Sequence, residues 1–146
     1  MKIAIITDTH FGARNDNINF NDYFYNFYEG HFFPYLQQNN IKNVIHLGDV
    51  MDRRKFVSYR IAKDFRERFL LPFSVLDINL HMLVGNHDIF FKNTNDVNSL
   101  QELVDGRYKT INLYSEATEV TFDGLPILFM PWINSQNYIY AMGMID

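Results

Sequence analysis

Three short groups of residues in this chain have types and spacings that can do chemistry: Asp8-Thr9-His10, Gly48-Asp49-Val50-Met51-Asp52 and Gly85-Asn86-His87-Asp88. Their donors are carboxylate, imidazole and amide oxygen. With no cysteine in the chain there is no thiolate. That donor set suits manganese, iron or zinc rather than a soft metal. Asp8 and His10 stand two residues apart, so both can reach one ion from a bent strand end. Asp49 can bridge two ions, and Asn86 can offer its side-chain oxygen to the second. Two ions held ~3.5–4 Å apart would stabilise both the attacking and the leaving oxygen of a phosphoryl displacement. Taken singly, an Asp-x-His or a Gly-Asp is more often an ordinary turn. The information lies in their order, each group directly following an apolar run.

Those runs are the elements that must position the groups. Residues 3–6 (Ile-Ala-Ile-Ile), 43–47 (Asn-Val-Ile-His-Leu) and 80–84 (Leu-His-Met-Leu-Val) are short, largely apolar and followed by glycine or a polar turn. They read as strands buried on both faces. Between them, residues 20–36 and 57–71 carry apolar side chains at helical spacing. Gly30 and Pro34 are expected to kink or split the first helix, and Pro72 to end or bend the second. Alternating strand and helix predicts a parallel α/β sheet. All three polar groups then fall at its carboxyl edge, where open α/β sheets bind ligands. Further on, a short helix carries Leu100, Leu103 and Val104. Residues 110–113, 117–122 and 125–130 read as strands, with Asp123-Gly124 a hairpin turn between the last two.

Composition sets the bounds. The chain has 146 residues, enough for one domain that buries roughly two-thirds of its unfolded surface. It is 47% hydrophobic and 21% charged, which excludes a disordered protein. No apolar run approaches the ~18 residues of a membrane span. The N-terminus lacks the apolar core of a signal peptide, so a cytoplasmic protein is expected. The net charge of −4 argues against a globally basic nucleic-acid binder. It leaves open an enzyme of phosphodiesters whose metals supply local positive charge.

The three groups together resemble the first three signatures of the calcineurin-like metallophosphoesterases. Residues 46–54 (His-Leu-Gly-Asp-Val-Met-Asp-Arg-Arg) and the later Phe129-Met130-Pro131-Trp132 are similar to SbcD-type DNA-repair nucleases and their bacteriophage recombination counterparts. The resemblance implies an α/β/β/α sandwich and a cofactor of two divalent ions, usually manganese (Mn2+). It implies exonuclease and endonuclease cleavage of DNA in double-strand-break repair or recombination, and a partner ATPase of the SbcC, SMC-like type. A homodimer built from the helices after the first two signatures also follows from it. For a phage protein the compartment would be the host cytoplasm. Matched by position, Asp8, His10 and Asp49 would bind one ion, Asp49 and Asn86 the second. His87 would act beside the phosphate and help the leaving group depart.

The family pattern also includes three further histidines, one alone and a later Gly-His-x-His. Here no histidine follows His87, and His31, His46 and His81 do not stand in the missing positions. The expectation is the N-terminal part of a nuclease domain over 1–146, an incomplete sandwich without the DNA-contacting capping domain and inactive alone. Arg53 and Arg54, expected at the start of the second helix with Lys55, offer phosphate contacts or are simply solvated. Asp52 either orients a ligand by hydrogen bonding or caps that helix. Arg14 and Lys92 flank the first and third groups and are either DNA contacts or ordinary surface charge. His46, His81 and Asp88 read as structural. Tyr25 and Phe33 fall off the apolar stripe of the first helix and are expected to face a partner copy. Two alternatives remain open: another metallophosphoesterase (a phosphatase or cyclic-nucleotide phosphodiesterase), or a non-catalytic dimerisation or partner-binding module.

Overall fold

The computed structural model describes residues 1–104 and 106–146. Four strands form a parallel sheet in sequence order: β1 (Ile3–Ile6), β2 (Asn43–His46), β3 (Asn79–Leu83) and β4 (Ile111–Tyr114). The register pairs Ile6 with His46 and His46 with Met82, so the carboxyl ends of the first three strands are level. A separate antiparallel hairpin, β5 (Thr118–Phe122) and β6 (Leu125–Phe129), turns at Asp123-Gly124. Both turn residues have positive φ (50° and 82°), the backbone a two-residue hairpin requires.

Alternation along the strands divides the core. Val44, Leu80 and Met82 pack with the helices in an aromatic-rich cluster. Ile45 and Leu83 face the other way and pack with Phe122 and Phe129 of the hairpin. Helices therefore cover one face of the sheet and the hairpin the other, in three layers. Ile5 points to the hairpin face and is 64% exposed, because the two-stranded sheet does not reach it.

Two long helical segments follow β1 and β2. α1 (Ile18–Phe27) is capped by the Asn17 side chain, which accepts from the Phe20 amide. It continues through a π-helical turn (Tyr28–Phe32) into α2 (Phe33–Gln38). The second segment runs from α3 (Tyr59–Asp64) through a π-helical turn (Phe65–Leu70) into α4 (Leu71–Val75). Neither Gly30 nor Pro34 splits the first segment, and Pro72 does not end the second. The physical reason is shared. A proline has no N–H to give the carbonyl four residues back and clashes with it. In each segment the residue before the proline instead donates five residues back, Phe33 to Tyr28 and Leu71 to Arg66. The widened turn makes room for the ring.

The inward face of this segment also differs from the stripe read in the sequence. Tyr25 and Phe33, expected to point away from the core, are fully buried. Tyr23, Phe27 and Tyr35 are the exposed aromatics of this segment instead. Arg68 ties the two segments together. It donates to Asp22 and, through two nitrogens, to Glu29, and lies 4.6 Å over the Tyr25 ring. Two short helices complete the chain: α5 (Ser99–Val104), at the position expected, and α6 (Tyr138–Gly143), which the sequence pattern did not signal. Among the described residues no helix is long and apolar enough to cross a membrane.

Candidate metal centre

The candidate residues are held by loops that prolong the sheet past its strands. Asp8 and His10 donate their amides to Gly48 and Asp49 carbonyls, and Phe11 donates to Val50. Phe11 and Met51 form a parallel bridge beyond β1 and β2. Phe11 then enters the aromatic core. Its ring stacks on Tyr25 at 5.0 Å and meets Phe69 at 5.1 Å. Burying such a ring is worth about 3–5 kcal/mol against alanine, so the residue after His10 is a firm anchor.

The loop after β2 is locked from inside. The His46 Nδ1 accepts the Gly48 amide, which leaves the proton on Nε2. Nε2 lies 3.0 Å from the Thr9 hydroxyl, which in turn donates to the Val50 carbonyl. Complete burial pushes His46 down to about 3, keeping it neutral. Asp88 does the same for the third loop. Its carboxylate accepts the Met51 and Gly85 amides, while burial raises it to about 6. His46 and Asp88 are thus structural, as expected. So is His81, which is buried and pairs with the Tyr114 hydroxyl.

Two glycines let the loops meet. Gly48 has φ 109°, and a Cβ there would lie 2.9 Å from the Gly85 Cα. A Cβ on Gly85 would overlap the Asp49 amide nitrogen and carboxylate. Gly85→Ala is therefore expected to displace Asp49, weakening manganese binding at least tenfold and lowering the thermal midpoint. Calorimetric titration and a melting curve check this, and wild-type values in both would show that the loops yield freely.

The structure brings together Asp8, His10 and Asp49, whose donor atoms all lie within 4.8 Å of one another. His10 Nε2 is 3.4 Å from Asp8 Oδ1 and 3.9 Å from Asp49 Oδ2. All three residues have positive φ, at 52°, 43° and 54°. Non-glycine residues rarely take that conformation, and here the backbone hydrogen bonds between the first and second loops accompany it. Thr7 donates to Asp8 at 2.6 Å and, with His10, holds its carboxyl below the usual range. Asn86 lines the same open pocket as Asp8 and Asp49. Hard oxygen donors around one imidazole, with two carboxylates converging, fit a divalent cation.

A second group, which sequence reasoning did not assemble, shares His10. His10, Asp52 and His87 also offer donors within 4.8 Å. Asp52 Oδ1 lies 3.4 Å from His10 Nδ1, the ring atom facing away from Asp8. At this separation the two make no hydrogen bond and His10 Nδ1 is buried without a partner; a carboxylate in that place supports a ligating histidine once the pair closes up. Asp52 does not cap a helix. Ser58 caps α3, and residues 53–55 lie in an irregular segment rather than at a helix start. His87 donates from Nδ1 to the Asp52 carbonyl at 2.6 Å, and its amide donates to Asp49 at 3.0 Å. Its ring stands edge-on to His10, 4.8 Å between centroids. Neutral His87 thus leaves Nε2 free, and protonated His87 can donate from it.

Around this cluster the basic residues separate. Arg53 pairs with Asp16 and Asn15 and is not free for phosphate. Arg14 is exposed, 4.6 Å over the Phe20 ring. Lys92 is exposed on the loop after the third group, and Arg54 is half-buried. The far wall of the pocket is Met130, Pro131, Trp132 and Ile133. Trp132 donates its amide to Val84, and Asn95 accepts from Asn134 while donating to the Trp132 carbonyl. The roles of Thr9 and Asn95 carry no signature in the sequence, because they arise from contacts between distant segments.

A parallel sheet with clustered His and Asp residues at its carboxyl edge is the frame of a metal-dependent phosphoesterase. The family model for calcineurin-like phosphoesterases matches residues 1–144, and the chain belongs to that family. Exonuclease subunit 1 of Enterobacteria phage T4 is 33% identical over 103 residues, covering 70% of this chain. The chain spans 30% of that relative's length. A crystal structure of a protein of unknown function from Aquifex aeolicus matches at a TM-score of 0.40 and 21% identity, over 98% of this chain and 69% of that one.

Proposed function

We propose that this chain is the metal-binding N-terminal part of a DNA nuclease subunit, active on phosphodiester bonds in double-strand-break repair or recombination. The similarity to a phage exonuclease subunit carries this reading. Asp8, His10 and Asp49 would hold one divalent ion, most simply manganese, and Asp49 with Asn86 would contribute to a second. Such ions supply charge neutralisation for a phosphoryl displacement. Asp52 orients His10 from behind. His87, fixed through Nδ1, presents Nε2 to the departing oxygen and gives it a proton.

The second ion receives only two protein ligands here, so the chain alone is expected to be a poor catalyst. The nuclease works with an SMC-like ATPase of the SbcC type and as a homodimer, in the cytoplasm. Support for a paired helical surface comes from Tyr23, Phe27 and Tyr35, exposed on the first helical segment beside a groove of about 600 Å³.

Linear duplex DNA and a small phosphodiester, each offered with manganese to the product of the complete reading frame, test the reading. Manganese-dependent degradation of the DNA is expected. Turnover of only the small ester or of a phosphopeptide would replace the nuclease with another phosphoesterase.

A further inference from the structure

Beside the metal cluster lies a surface that the phosphoesterase chemistry leaves unexplained. Phe56 is 62% exposed, Phe90 37% and Phe91 50%. Phe56 follows Asp52 by four residues and Phe90 follows His87 by three, and both rings line one groove. The 90–97 loop is closed at its base by the Phe90 amide donating to Val97 and by the Ile89–Asn98 bridge. Phe90 and Phe91 meet edge to face at 4.8 Å. Together with Phe56, Phe90 borders a groove of about 260 Å³.

Cations are interleaved with these rings. Lys55 lies 5.9 Å over Phe90, and Arg53 lies 4.8 Å over Phe56. Arg54 lines the groove, and Lys92 follows Phe91. Arg53 is already engaged by Asp16, and among the described residues Glu102 is the one acidic group of the lining. Among the described residues Arg54, Lys55 and Lys92 form no ion pair, on a chain of net charge −4. A polar interior would not need the rings, and an apolar partner would not need the cations.

We infer that this surface is a stacking platform for unpaired nucleotides of the DNA substrate, with Phe56, Phe90 and Phe91 taking bases while Arg54, Lys55 and Lys92 take phosphates. This deepens the nuclease reading and rests on it. A nucleotide carries both partners, a planar base for a ring and a phosphate for a cation. Stacking of a base on an aromatic ring outweighs an exposed cation–π contact, so the nucleotide displaces the lysine from the ring and engages it through phosphate. A duplex cannot do this, because its bases are stacked on one another. The substrate that the platform selects is a frayed or single-stranded segment next to the scissile bond.

Fluorescence anisotropy of a labelled twelve-nucleotide oligothymidylate, against a blunt duplex of the same length, tests the proposal at several salt concentrations with metal chelated. Wild type should bind the single strand more tightly. Phe56→Ala, and Phe90→Ala with Phe91→Ala, should each weaken the single strand about tenfold and leave the duplex within about twofold. Arg54→Ala or Lys92→Ala should flatten the salt slope by about 0.7. These side chains are surface groups, and unchanged circular dichroism would verify the fold.

Equal binding of single strand and duplex, unaffected by loss of the rings, overturns the platform and leaves the nuclease reading standing. Failure to bind either DNA overturns both. Sedimentation of the same variants identifies a different occupant: a wild-type dimer abolished by the ring substitutions, with oligonucleotide binding intact, assigns the surface to a second copy and overturns the proposal.

Discussion

Asp49→Asn should abolish measurable manganese binding, a loss of more than about 100-fold. Asparagine is the informative replacement. It tolerates the left-handed backbone that Asp49 adopts at φ 54°, and its side-chain oxygen can still accept the His87 amide now held by Asp49 Oδ1. Only the charge is removed. Alanine would add backbone strain and a lost hydrogen bond, confounding the reading. Asp52→Asn should cost less, about 10–100-fold, because Asp52 acts through the far side of the His10 ring. Calorimetric titration measures both, with melting curves in chelator to show that each variant folds. Wild-type affinity in Asp49→Asn would remove Asp49 from the ligand set. Two equal, tight ions in the wild type would show that the two-ligand second site is miscounted.

The second large effect is on stability in acid. His46 is fully buried and is pushed down from 6.5 to about 3. An unfolded chain binds that proton more readily between these limits, so stability falls as pH drops from about 6.5 toward 3. The whole interval corresponds to roughly 5 kcal/mol. Asp88 opposes it. Burial raises its carboxyl from 3.8 to about 6, so between about 6 and 3.8 the folded state binds the proton more readily and stability rises as pH falls. This interval corresponds to about 3 kcal/mol.

Wild type should therefore lose stability gently between pH 6 and 4. Asp88→Asn should lose it steeply, with the His46 slope uncovered. His46→Gln, though weaker at pH 7, should become more stable on mild acidification. Denaturant unfolding at half-unit pH steps in chelator would check this. A His46→Gln profile parallel to wild type would mean that His46 is not the neutral hinge of the Thr9–Val50 network.

Much of the site was legible before any coordinates. The apolar runs before Asp8, Gly48 and Gly85 required strands, and alternation with helical periodicity required those strands to be parallel. Parallel strands share a carboxyl edge, so Asp8, His10, Asp49, Asn86 and His87 had to meet there. The hairpin was equally plain, because Asp123-Gly124 is a local signal that needs no tertiary partner.

What only the tertiary structure decided depends on contacts across the fold. Helical periodicity assigned Tyr25 and Phe33 to the outside. The π-helical turn before Pro34 sets the direction of Phe33, while Tyr25, ahead of that turn, is buried by stacking on Phe11. A widened turn has no single-residue signature, since its stabilisation comes from packing. In the sequence Asp52 reads as a cap or a ligand partner alike, and only the fold places it 3.4 Å from the His10 Nδ1 and away from a helix start. Arg53 reads as a phosphate contact or a solvated helix end, yet Asp16, 37 positions earlier, claims it. Sequence determines which donors exist and which edge they share. The direction each side chain faces is decided by neighbours distant in the chain, through packing and through hydrogen bonds that local periodicity does not encode.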